Sequence, residues 1–210
     1  MKKILFYDCE IARCIPSKDG YIKYPRRYEY CAGWHDKANM GIACVGTYAS
    51  WKGYDIFLAD NLKEFESLAS ESDEIVGFNS IEFDEQLLAA NGIIVHTTFD
   101  LLCETRVAAG MPPHYVPGKT RGGYSLEQLS QANLGQGKTS SGMLAPKLWQ
   151  DGLFKEVFEY CLNDVDLLRK LYSLRSEMSD PTNGTLLFLR GGNRFRWATK
   201  NYEQIKRKLI

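Results

Sequence analysis

Nowhere among the 210 residues does an apolar run approach the roughly 20 residues that a bilayer-spanning helix requires. The first twelve, MKKILFYDCEIA, carry two lysines but only four apolar residues before Asp8, too short a stretch for a signal peptide. These two absences lead to the expectation of a soluble, cytoplasmic chain. The six cysteines stand at 9, 14, 31, 44, 103 and 161 with no C-x-x-C pair, and Cys31 with His35 is the one close Cys/His pair. That scatter argues against both a disulfide framework and a structural zinc site. The three histidines (His35, His96, His114) fall in no metal or triad spacing and are expected to be structural. The tripeptide GKT occurs at 118–120 and 137–139, but the glycine that a phosphate-binding loop needs five positions earlier is Pro113 in one case and Ala132 in the other. Internal repeats and low-complexity tracts are missing too.

With 44% hydrophobic and 12% aromatic residues, the chain can bury a sizeable core, and its length suits one domain. Net charge is zero, with 26 basic and 26 acidic residues. The balance hides an asymmetry. Residues 182–210 hold seven Lys/Arg against Glu203 alone, a net +6, which leaves −6 on residues 1–181. An acidic body with a basic tail implies metal-binding carboxylates in one part and a polyanionic partner for the other.

The pattern of elements is that of an α/β layer fold with a mixed sheet. KILFYDC (3–9) reads as a buried first strand, and residues 11–40 as a long, irregular insertion rich in Tyr and Arg. Residues 40–48 and 54–58 read as a hairpin, and Leu62, Phe65, Leu68 and Ala69 as a helix capped by Asp60 or Asn61. EIVGF (74–78) reads as a second buried strand, 81–91 as a helix ended by Gly92, and GIIV (92–95) as a short strand. Asp100 is expected to cap a helix running to about Ala109. Ser125 with Gln128 forms a capping box, and a long helix is expected over 154–178.

Three places carry chemistry. Asp8 and Glu10 lie two apart at the end of the first strand, so both carboxylates point to one side, where a divalent cation is the natural compensation. Asp84 closes the segment NSIEFD (79–84) at a strand–helix junction, in the first helical turn. Tyr160 and Asp164, four apart in YCLND, stack on one face of the long helix.

In this order and on these elements, FYDCEIA, IVGFNSIEFD and EYCLNDVDLL resemble the three motifs of the DEDD (DnaQ-like) 3′–5′ exonuclease superfamily, which has the ribonuclease-H-like fold. The likeness spans residues 3–172. Tyr four before Asp164, with Glu159 rather than His five before it, resembles the tyrosine (DEDDy) branch. The resemblance implies a domain at 1–181, and the basic C-terminal tail at 182–210 is expected to pack on the same domain. It implies that Asp8, Glu10, Asp84 and Asp164 hold two divalent cations, Mg²⁺ or Mn²⁺, and that Tyr160 orients the attacking water. It further implies release of nucleoside monophosphates from the 3′ end of single-stranded DNA, alone or beside a polymerase partner in trans. Its setting would be a bacterial or phage-infected cell. An RNase D-like exoribonuclease would use the same acids, and a non-catalytic nucleic-acid-binding module would keep the fold without the cleavage.

Asn79 is expected to position Asp84 or to contact substrate, and the patch Tyr21, Lys23, Tyr24, Arg26, Arg27 and Tyr28 either to stack bases and bind phosphate or to pack as a loop over the sheet edge. Lys119, Arg121 and the basic tail 190–208, with aromatic residues among its charges, are further candidates.

Overall fold

A computed structural model describes residues 2–17, 26–137 and 144–191. Five strands form a mixed sheet in the order β3-β2-β1-β4-β5: β1 (Ile4–Ile11), β2 (Ile42–Ala49), β3 (Gly53–Phe57), β4 (Glu74–Gly77) and β5 (Phe99–Asp100). The first three run antiparallel to one another in sequence, and β4 and β5 add in parallel beyond β1. Helices cover both faces, the mixed α/β architecture of the ribonuclease-H-like fold expected from the sequence.

The central strand divides the two layers by its alternation. Leu5, Tyr7, Cys9 and Ile11 pack in one core with Phe65 and Leu68 of α2 (Leu62–Ser70) and with Leu87 and Leu88 of α3 (Asp84–Ala90). Phe6 points to the other side. There it joins Leu126 and Leu129 of α5 (Leu126–Leu134) and Val165, Leu168 and Leu171 of α7 (Phe154–Ser173). Asp8 and Glu10 share the parity of Phe6, so they face α7.

The β-pairing is lopsided. β1 pairs with β2 from Leu5 to Ile11, whereas the ladder to β4 runs only from Ile4 to Phe6. Beyond Phe6 the β4 side of β1 is open to side chains.

Several local readings hold, and others shift. Ser125 and Gln128 make the reciprocal capping box, and the Asp100 carboxylate accepts from the Leu102 and Cys103 amides to start α4 (Leu101–Ala108). GIIV is not a strand. Its backbone is satisfied without a ladder: the Ile93 amide donates to the Leu88 carbonyl, the Ile94 amide to Glu66, and the Gly92 carbonyl accepts from Lys63, while Ile93 and Val95 plug into the core. Helix α3 starts at Asp84, not at 81, because Asn79 takes a left-handed φ of 58° and the amides of Asn79 and Ile81 are claimed by Asp100. The long helix stops at Ser173, and Met178–Ser179 (β6) pairs with Leu186–Leu187 (β7). Leu187 and Leu189 enter the α7 core, so this part of the chain is packed on the domain. Residues 192–210 lie outside the described residues, as do Tyr21, Lys23 and Tyr24.

The described part of the insertion folds back onto β1. It holds a short helix, α1 (Lys37–Met40), ending in a fully buried Met40, and its Tyr30 bridges to Cys14. A further helix, α6 (Ala145–Gln150), leads into α7. Among the described residues no helix is long and apolar enough to cross a membrane.

Candidate metal centre

Asp8 and Glu10 meet α7 at Cys161. One ligand atom from each of the three lies within 4.8 Å of the other two, the single such group of acidic, thiol or imidazole side chains among the described residues. The Cys161 thiol reaches the Asp8 carbonyl at 3.5 Å and Asp8 Oδ2 at 3.9 Å. This close approach depends on Gly46, the β2 residue opposite Asp8. A Cβ at Gly46 would sit 2.7 Å from Cys161 Sγ, so only glycine lets the helix come down onto the sheet here.

Cys161 lies on the buried, apolar face of α7. The same face brings it to the acids, and no spacing in the sequence reveals that. Its thiol is held well above the ordinary range by the hydrogen bond with Cys44 and by burial. It therefore stays protonated near neutral pH, and the donors open to a hard cation are the two carboxylates.

Asp84 approaches from the opposite layer. Its carboxylate accepts from the backbone amide and the thiol of Cys9, the residue between the two strand acids. That amide is available because β4 has already left β1. Asp84 is buried, and desolvation, followed by the charge of Asp100, pushes its carboxyl up to about 7. Asp164 is buried on α7, one turn beyond Tyr160, which is itself buried against Ala43 and Cys44. Neither Asp84 nor Asp164 belongs to the 4.8 Å group.

Asp100 organises the approach to Asp84. Its carboxylate accepts four backbone amides: Asn79 at 3.0 Å, Ile81 at 3.1 Å, Leu102 at 3.0 Å and Cys103 at 3.2 Å. Asn79 thereby enters the turn that delivers Asp84, with its carbonyl accepting from Phe83 at 3.1 Å.

A cation that sequence reasoning missed stands nearby. Lys37 Nζ lies 3.5 Å over the ring of Phe83, the residue before Asp84. Burial lowers its ammonium to about 8, opposed by the attraction of Asp84. Nothing in the pattern of residues 11–40 singles it out, because α1 meets α3 through tertiary packing alone.

Of the expected substrate contacts, Arg27 and Tyr28 are both fastened to Asp151 at the α6–α7 corner, at 3.0 Å and 2.9 Å. Arg26 is exposed. Arg13, Arg27, Trp149 and Phe154 line a groove of about 490 Å³ at the far end of β1, floored by Ala12 and Gly41. Lys119 is exposed in the turn after Val116, and Arg121 donates to the Ala109 carbonyl at the end of α4. His114 pairs with Glu82 at 2.9 Å, and His96 lies 4.0 Å from Glu85.

In fold, the chain is similar to the family B DNA polymerase from the hyperthermophilic archaeon Pyrobaculum calidifontis, with a TM-score of 0.52 and 18% identity over 83% of this chain. It spans 24% of the length of that polymerase. No protein-family model and no curated protein sequence matches the chain.

Proposed function

We propose that this protein is a metal-dependent 3′–5′ exonuclease of the DEDDy type, acting on single-stranded DNA ends. The observation that carries the reading is the meeting of Asp8, Glu10 and α7 at the open end of the central strand, with Asp84 brought to the same strand from the other layer. Carboxylates crowded at a strand end, Asp8 half-buried and Glu10 buried, need positive charge, and their hard oxygen donors fit Mg²⁺ or Mn²⁺. The likeness in fold to a DNA polymerase is in keeping with a nucleic-acid substrate.

Asp8, Glu10, Asp84 and Asp164 would hold two cations. Bound there, the cations would lower the pKa of a coordinated water and neutralise charge on the scissile phosphate and the leaving 3′ oxygen. The protein's own contribution is geometric. The strand fixes Asp8 and Glu10 on one side, and the Asp100-bound turn fixes Asp84. The Tyr160 hydroxyl, one helical turn from Asp164, orients the attacking water. A phenol with a pKa near 10 is a poor base at neutral pH, so its role is alignment, not proton removal. Burial of Tyr160, Asp84 and Asp164 keeps competing solvent away from the reacting groups.

The test uses 5′-labelled single-stranded DNA and RNA of one sequence, with Mg²⁺, Mn²⁺ or EDTA. A metal-dependent ladder shortening from the 3′ end is expected, lost in Asp8→Ala and in Asp164→Ala. Cleavage that survives either substitution refutes the assignment. Faster shortening of the RNA would move the substrate to RNA with the same site.

A further inference from the structure

The segment between β1 and β2 presents two side chains that the proposed hydrolysis does not use. Trp34 leaves 56% of its surface in solvent and stands edge-on to Phe83, with ring centroids 5.8 Å apart and planes at 66°. Lys37 holds its ammonium over the same ring. Phe83 in turn is the N-cap of α3 and adjoins Asp84. An indole and an ammonium from one segment therefore flank the residue that precedes a buried acid of the site.

Both are held in place from beneath. Asp36, between them, accepts from the Ala32 amide at 2.8 Å and from the Asn39 side chain at 2.7 Å. The Met40 carbonyl accepts from the Arg13 amide, the Cys14 carbonyl accepts from the Cys31 amide, and Met40 is sealed in the core. A large apolar face kept in water on a braced segment, with a cation beside it, matches what a single strand offers in alternation: a flat base and an anionic phosphate. The ammonium is close enough to feel the charge of Asp84, so it stands on the side of the segment that faces the site. An anionic nucleic-acid backbone entering the site would meet it there, whereas a protein partner would not require it.

We propose that Trp34 and Lys37 form the nucleotide-gripping lip of this site, Trp34 stacking on a base of the entering single strand and Lys37 taking a phosphate next to the one at the acids. The assignment rests on the exonuclease reading for the direction from which the strand arrives. It gives the segment around Trp34 and Lys37 a substrate role that the four acids do not supply.

The experiment measures binding of a 5′-fluorescein-labelled oligothymidylate by anisotropy, in Ca²⁺ and over a range of KCl, alongside Mg²⁺-dependent cleavage. Trp34→Ala should weaken binding roughly 5- to 150-fold, the range that loss of one base–aromatic stack allows. Lys37→Met should flatten the slope of log K against log[salt] by about 0.7, one phosphate contact on a single strand. Lys37→Arg should restore the slope. Because Trp34→Ala can disturb the segment, Trp34→Phe is read by fluorescence: quenching of wild-type tryptophan emission by the oligonucleotide should largely vanish in the variant. Wild-type protein that cleaves while all three readouts stay unchanged overturns the lip and leaves the exonuclease standing. Wild-type protein that binds through Trp34 and Lys37 without cleaving supports the lip and removes the exonuclease. Absence of binding by wild-type protein overturns both.

Discussion

Replacing Gly46 by alanine tests the contact on which the centre is built. The added methyl would lie 2.7 Å from Cys161 Sγ, about an ångström inside normal contact, and 3.5 Å from the Cys161 Cβ and carbonyl carbon. The sulfur is wholly buried and tied to Asp8 and Cys44, so it has nowhere to turn. Overpacking of this kind costs about 1–3 kcal/mol. For a chain of this size that lowers Tm by roughly 2–12 °C. Cys161→Ala alone removes one buried sulfur and costs about 1 kcal/mol. In the double variant the two methyls face each other at ordinary distance, so it should be more stable than Gly46→Ala alone. The coupling should be about 1–2 kcal/mol in a double-mutant cycle from denaturant unfolding. Nuclease activity under the proposed function should follow the same pattern, since a displaced α7 carries Asp164 away from Asp8. Additivity within about 0.4 kcal/mol would refute the packing argument.

Three further outcomes are expected. Asp100→Ala orphans four backbone amides, two of them the cap of α4, and should cost about 3–5 kcal/mol by denaturant unfolding; a loss below about 1 kcal/mol would show that the 79–81 turn stands without it. Asp84 is raised from 3.8 to about 7, so the folded protein holds a proton there that the unfolded chain has released. Metal-free stability should therefore fall as pH rises from 5 to 7, within a ceiling of about 4 kcal/mol. In EDTA a flat or rising Tm over that range would contradict the burial argument, and Mn²⁺ should stabilise more at pH 7 than at pH 5. Tyr160→Phe should retain Mn²⁺ binding by titration but slow hydrolysis about 100-fold; weakened Mn²⁺ binding would point to a different role for the hydroxyl.

The strand acids, the hairpin, the capping box and the long helix are legible because each is written in local periodicity or in a cap. Asp100 was also readable as a cap, though not its two extra amides from the 79–81 turn, which arrive from another loop. GIIV misleads because Ile and Val report burial, and burial without a ladder partner gives an extended plug. The true strand β5 is two residues long and carries almost no pattern. Cys161 and Lys37 escaped for a shared reason. One is an ordinary core residue of an amphipathic helix and the other an ordinary lysine of a short one, and each gains its meaning from a residue far away in sequence.

That distance has a kinetic side. The Cys161–Asp8 contact joins residues 153 apart, whereas β1 meets β2 through a much nearer segment. Closing a loop of that length costs about 2–3 kcal/mol more entropy than closing a ten-residue loop, so it is deferred until many other contacts can offset it. During refolding the sheet can carry Asp8 and Glu10 as a half-formed site well before α7 docks. Competence to bind metal should then be among the last properties to return, lagging behind recovery of the sheet. Under the proposed function, a chain emerging from the ribosome would stay harmless to nucleic acid until α7 had been made.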